Sequence, residues 1–180
     1  MTEIREYRDE DAPSWLHCRL LSFFATEYYD DVVVKRPTFD NPAHRLVAVD
    51  NDTVIGLMDI EIFPDRATID VLAVHPDHQR EGIASQLLET VVPLLQVDVL
   101  DAWTRGDVSA NEWYQRSGFV ENFRYLHVYK SWQDDADGFE TPEGLGKPVN
   151  AFMHAPISLE DSMRARFGRV HVCRQYVRAL

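Results

Sequence analysis

Apolar positions recur along the chain with two periods, and the change from one to the other marks the elements. Residues 3–8, EIREYR, alternate and predict a first strand. Asp11 is an N-cap candidate with Pro13 in the first turn. Leu16, Leu20, Phe23 and Phe24 then return at helical spacing, so a helix is expected over about 12–25. Within residues 26–43, TEYYDDVVV admits a second helix and KRPTFDNPAH reads as loop. RLVAVD (45–50) and TVIGLMDIEIF (53–63) predict two strands joined by a tight Asn51-Asp52 turn, and RATIDVLAV (66–74) predicts a third. That last run is apolar almost throughout, with Asp70 in its middle, which predicts a central strand buried on both faces.

GIASQLLETVVPLL (82–95) gathers Leu87, Leu88, Val91, Val92 and Leu95 on one broad face, a helix that Pro93 kinks or ends. VDVLDAW (97–103) reads as a strand, SANEWYQRSGF (109–119) as a short helix with Gly118 at its C′ position, and FRYLHVYKSW (123–132) as another strand. The order β-α-(α)-β-β-β-α-β-α-β plus a tail predicts a mixed α/β fold, with antiparallel hairpins early and crossovers late.

Composition changes the picture after residue 132. Residues 133–148 hold five acids, three glycines and two prolines and predict a flexible loop. Ser158 is a candidate cap for a helix through Arg166, with Asp161 at the capping-box position, and residues 162–180 carry five arginines and no acid. The expected organisation is one domain over 1–132 with an extension over 133–180, acidic loop and arginine-rich tail, packing on it. With 45% hydrophobic and 11% aromatic residues the chain has enough apolar material for a real core.

A net charge of −12 argues against nucleic acid, whose phosphates demand clustered Lys and Arg. An acidic field attracts cationic substrates, or serves only to keep the chain in solution. No run reaches the roughly 18 apolar residues of a membrane span, and MTEIREYRDEDAPSW lacks the apolar centre of a signal peptide; no membrane partner and a cytoplasmic location are expected. Cys18 and Cys173 have no metal or redox spacing, so reduced thiols and no metal are expected.

The chemistry concentrates at the junction HPDHQREGIA (75–84), where an apolar strand gives way to a helix through a polar turn and a glycine. A helix start presents unpaired N–H groups and the positive end of a dipole, which suits phosphate. Gly82 lets backbone approach a ligand, Ala84 is nearly as small, and Gln79 and Arg80 add side-chain donors. The same features also describe an ordinary strand-to-helix turn. VLAVHPDHQREGIASQLL resembles the acetyl-CoA motif of the GNAT family of N-acetyltransferases, in which a strand leads to a (Gln/Arg)-x-x-Gly-x-(Gly/Ala) loop and a long helix. Here that loop is Gln79, Arg80, Glu81, Gly82, Ile83 and Ala84. It is neither a Walker loop nor a dinucleotide fingerprint. DVSANEWYQRSGF (107–119) resembles a second element of the same family through Ala110, Tyr114, Gly118 and Phe119, with Asp107 where the family usually has Asn. The resemblance covers about residues 3–132.

What the resemblance implies is a GNAT-like acyl-CoA N-acyltransferase fold, a central mixed and mostly antiparallel sheet flanked by helices. It also implies direct transfer of an acetyl group from acetyl-CoA, as co-substrate, to a primary amine of a small molecule or peptide. Backbone at Leu72, Ala73 and Val74 would polarise the thioester carbonyl, residues 79–84 would hold the pyrophosphate, and Asp107 would stand by the pantetheine arm, where a carboxylate accepts but does not donate. Tyr114 matches the usual general acid; its alternative is an aromatic packed into the core.

Asp70 is a candidate base for the amine, its pKa raised inside an apolar strand, or else a structural acid; Glu61 and Asp59 are weaker candidates. His75 and His78 either touch phosphate or are solvent-exposed loop residues, and Trp103 and Trp113 either line a substrate pocket or pack in the core. The acidic loop either covers the acceptor or is solvated. The arginine-rich tail either meets CoA phosphates or a second copy of the chain in a homodimer, or carries ordinary surface charge. The rival functions are a CoA-binding sensor without turnover, for which Asp107 speaks, and a transferase for larger acyl groups.

Overall fold

The computed structural model describes residues 2–30 and 33–180. Its elements are β1 (Glu3–Glu6), α1 (Ala12–Phe24), β2 (Ala43–Asp50), β3 (Thr53–Ile62), β4 (Ala67–Val74), α2 (Ile83–Val91), β5 (Val99–Thr104), α3 (Val108–Arg116), β6 (Val120–Lys130), β7 (Ala151–Pro156), α4 (Glu160–Arg166) and β8 (Arg169–Ala179). They form one eight-stranded sheet in the order β1-β2-β3-β4-β5-β8-β6-β7. Every neighbouring pair is antiparallel except β4 and β5. The parallel pair is the one joined through α2, as a crossover requires. This is the mixed, mostly antiparallel α/β architecture expected, flanked by helices.

Helix α1 packs on one face of the sheet, where Trp15 and Cys18 meet Val47, Leu57 and Val71. Helices α2 and α3 cover the other face, where Leu87, Leu88, Val91 and Tyr114 meet Met58, Ile60 and Ala102. A third cluster lies by α4, built from Leu126, Val128, Phe167 and Val170. The β2–β3 hairpin closes on Asn51 and Asp52 with φ of 47° and 60°, the left-handed pair that a two-residue turn matched to strand twist demands. Pro93 ends α2, whose last residues pass into a 3-10 turn.

Several expectations are corrected. Asp11 does not cap α1 with its side chain; its carboxylate accepts the Arg8 N–H at 2.7 Å and a bidentate pair from Arg5. The second helix does not form over Thr26–Asp30, which are turns, and the remainder of that stretch includes Asp31 and Val32, outside the described residues. Ser158 caps nothing: a 3-10 turn, Ile157–Leu159, leads into α4, whose N-cap position is Leu159.

The tail yields the largest departure from the sequence reading. Residues after 132 supply β7 and β8, and β8 inserts between β5 and β6, pairing with both. The sheet therefore runs across the compositional break at 132/133. Four of the tail's five arginines are engaged locally: Arg169 with Asp30, Arg164 with Glu160, Arg174 with Glu121, and Arg166 with the Asp137 carbonyl. Asp134 anchors the acidic loop by accepting from Ser131 and the Gly168 N–H. Cys18 and Cys173 are both free and buried.

Candidate functional site

Strands β4 and β5 pair over only three positions, Ala67–Ile69 with Leu100–Ala102, although β4 continues to Val74 and β5 to Thr104. Beyond them the strands part, and a cavity of about 940 Å³ opens through the gap. Its lining runs from the start of α2 and the inner face of α3, past the backbone of Leu72 to Val74, to the end of α1 and the turn after it.

The opening has a local cause. Val71 stands opposite Asp59 and Ile69 opposite Ile60, so Asp70 is an extra residue in β4, a bulge that bends the strand. This corrects the expectation for Asp70. It is exposed rather than enclosed, on the bulge where β5 departs. It lines the cavity. The His75 N–H bonds the Ile55 carbonyl, and the alternation of an antiparallel ladder then turns the N–H groups of Leu72 and Val74 toward the missing strand. A carbonyl oxygen in the gap would meet main-chain donors there.

At the other wall Gly82 is the residue before α2, with φ of 83°. Only a residue free to take the left-handed conformation turns the chain there, which leaves the first N–H groups of α2 aimed outward. Gly82, Ile83, Ala84, Arg80, Gln79 and His78 all line the cavity; Glu81 does not, and its carboxylate lies 3.3 Å from His78. Gln79 donates to the Val74 carbonyl at 3.3 Å and so ties the loop to β4. His75 accepts the Asp77 N–H and stays outside the cavity lining.

Tyr114 lies on α3 where the two halves meet, 6% exposed and lining the cavity. The end of α3 holds it. Gly118, with φ of 84°, lets its own N–H reach the Gln115 carbonyl and the Phe119 N–H reach the Tyr114 carbonyl, a Schellman closure that brings Phe119 edge-on to the Tyr114 ring at 5.3 Å. Tyr176 of β8 stacks on the ring at 5.3 Å, and its hydroxyl donates to Asn111 Oδ1 at 2.9 Å. Burial pushes the Tyr114 phenol up from its ordinary value, so it stays protonated. The ring is thus both a core aromatic and a cavity wall. Trp113 also lines the cavity, with its indole N–H on the Ser85 hydroxyl, and so does Trp103, 38% exposed.

Asp107, the N-cap residue of α3, lines the cavity but has its carboxylate on the Glu27 N–H, at 3.1 and 3.4 Å. Burial raises its pKa, an effect opposed by that hydrogen bond and reinforced by the Glu27 charge. Asp59 is not at the site: it is fully buried in a bidentate pair with Arg36, and burial, against that pairing, raises its pKa. Glu61 accepts from Asn41 and lies outside the cavity lining, as does the acidic loop.

What sequence reading missed is the roof after α1. Arg105 is buried and donates to the Glu27 carbonyl at 2.5 Å, to His127 Nδ1 at 3.2 Å and to the Tyr129 hydroxyl, with the Tyr28 ring 4.1 Å above its guanidinium. The Glu27 carboxylate accepts the Gly106 N–H at 2.7 Å and sits 3.1 Å from His171. These contacts fasten residues 26–28 over the cavity, which Thr26 and Tyr28 line. Nothing local marked Arg105, one arginine in an unremarkable strand-to-helix turn.

Comparison with known proteins agrees with this geometry. A sequence model of the acetyltransferase (GNAT) domain matches residues 41–121. No curated protein matches the chain. Among solved structures, the ribosomal-protein-S18-alanine N-acetyltransferase from Escherichia coli superposes with a TM-score of 0.62 at 17% identity, covering 99% of this chain and 94% of that one. The PaiA N-acetyltransferase from Thermoplasma acidophilum, solved in complex with coenzyme A, gives 0.58 at 16% identity over 87% and 99%. The IAA acetyltransferase from Bacillus cereus ATCC 14579 gives 0.56 at 20% identity over 100% of both chains. At such identities the likeness is one of fold.

Proposed function

We propose that this chain, whose residues 41–121 match the GNAT acetyltransferase domain and whose fold is that of solved GNAT acetyltransferases, moves an acetyl group from acetyl-CoA to a primary amine by direct attack. The observation that carries this reading is the opened seam between β4 and β5, which joins a phosphate-suited helix start to a second chamber through a gap lined by main-chain donors. The residues present fit a CoA thioester: the α2 N-terminus for pyrophosphate, small Gly82 and Ala84 for close approach, and the splayed seam for the pantetheine arm.

In this reading the Leu72 and Val74 N–H groups stabilise charge growing on the thioester oxygen as the amine nitrogen bonds to its carbon. Asp70, directly or through water, takes the proton an ammonium must lose before its nitrogen can attack, and the second N–H proton leaves to water as the adduct collapses. The carbon–sulfur bond breaks as Tyr114 passes its proton to the sulfur, giving amide and free CoA thiol. The Tyr114 phenol, held protonated by burial, is in the correct state to donate. Asp70 and Asp107 on the cavity, with the net charge of −12, favour a cationic acceptor, small molecule or peptide.

Calorimetric titration with acetyl-CoA, desulfo-CoA and ATP, followed by CoA release across an amine panel, tests the proposal. Micromolar binding of both CoA compounds, weak ATP binding and amine-dependent CoA release are expected. Binding without release from any amine would favour the sensor reading, and no binding would overturn the site.

A further inference from the structure

The chamber on the α1 face has a lining that acetyl transfer by itself does not require. Phe23 from the last turn of α1, Tyr28 from the turn after it and Trp103 from β5 all bring rings to the cavity. Each is held by other groups. Phe23 and Tyr28 pack at 5.9 Å, and Tyr28 rests on the Arg105 guanidinium. Trp103 stands edge-on to Tyr125 at 5.4 Å and to Phe123 at 6.3 Å. Arg19 is buried beneath the Phe23 ring at 4.8 Å.

Trp103 and Phe123 are 38% and 55% exposed, on a part of the sheet that α1 does not cover. They form an aromatic shelf continuous with the cavity mouth. The two rings side by side offer an apolar surface that an aromatic ligand would cover. Asp70 and Asp107 bring carboxylates to the same cavity, where an amine arrives as an ammonium ion.

We propose that the acceptor is a primary amine carried on a flat aromatic ring, the ring lying against Trp103 and the ammonium drawn toward Asp70, with Trp103 as the specificity-determining residue. The proposal rests on the acetyl-transfer reading above. A linear polyamine has no flat apolar surface to place on the shelf and would leave the rings in water.

Tryptamine, spermidine and an alanine-headed tripeptide are compared as acceptors by CoA release, and tryptamine binding to protein saturated with desulfo-CoA is measured by calorimetry. The expected kcat/KM for tryptamine exceeds that of the other two by about tenfold or more. Trp103→Ala is expected to raise the tryptamine KM about tenfold, Trp103→Phe to restore most of it, and neither to alter acetyl-CoA affinity. Preference for spermidine or the tripeptide, an equal loss for all three in Trp103→Ala, or absence of tryptamine binding overturns the proposal. Tryptamine binding that Trp103→Ala removes, with no CoA released by any amine, supports the ring site and overturns the transfer reading instead.

Discussion

On the α2–α3 side of the cleft the groups offered to a ligand are largely main chain: the first N–H groups of α2, the freed N–H groups of β4 and the small residues Gly82 and Ala84. On the α1 side they are side chains, Phe23, Tyr28 and Trp103, delivered by elements far apart in sequence, with Tyr28 resting on Arg105. Main-chain recognition needs a contiguous stretch with a glycine where the chain turns. Side-chain recognition needs only that distant residues meet. The first half suits a ligand of constant chemistry such as a pyrophosphate, and the second is free to vary with the acceptor.

Tyr114→Phe tests the boundary between the halves and has the largest expected effect. It should lower kcat by about 10²–10⁴ while leaving acetyl-CoA affinity unchanged. A change in affinity with kcat intact would assign Tyr114 to binding. Gly82→Asp should weaken acetyl-CoA binding by about 10², because it puts negative charge at the helix start. Gly82→Asn is the control, since Asn also tolerates a positive φ. Calorimetry that finds both variants equally impaired would make strain, rather than phosphate recognition, the reason for the glycine.

Arg105→Met strikes the other half alone. It leaves His127 Nδ1 and the Tyr129 hydroxyl without their donor and the Glu27 carbonyl with Arg169 alone, and should destabilise the fold by about 2–4 kcal/mol in denaturant unfolding. It should also raise the acceptor KM while acetyl-CoA affinity stays within about threefold. Comparable losses on both sides would mean that the halves are not separable.

A smaller effect lies in pH. Burial, then the Arg105 charge, pushes His127 down to about 4, below the usual histidine value near 6.5. Its Nδ1 accepts from Arg105, and its Nε2 is 2.9 Å from the Tyr125 hydroxyl, so a proton on Nδ1 would face a donor. Between those pH values the unfolded chain binds the proton and the folded one does not. Stability should therefore fall as pH drops from about 6.5 to about 4 and flatten below. Thermal melts of His127→Gln should show a shallower fall over that window; an unchanged slope would assign the pH dependence to other groups.

Much of this was legible in the order of residues. The alternation of EIREYR, the Asn51-Asp52 turn, the stripe of Leu87, Leu88 and Val91, and Gly118 after α3 each act within a few residues, and each appears where expected. The junction at residues 75–84 was legible for the same reason, since a helix start is a local object. The exposure of Asp70, the reach of Trp103 into the cavity, the Arg105 roof and the insertion of β8 between β5 and β6 were not.

Each of those depends on which strand lies beside which and where a pairing stops. That is decided when the faces of the whole sheet are buried together. Apolar alternation in RVHVCRQYV specifies that β8 has an inner face, but its neighbours follow only once β5 and β6 offer edges to fill. Local periodicity thus determined the elements and the main-chain half of the cleft. The tertiary structure decided the side-chain half, because contacts between distant residues are set by packing and leave no period in the sequence.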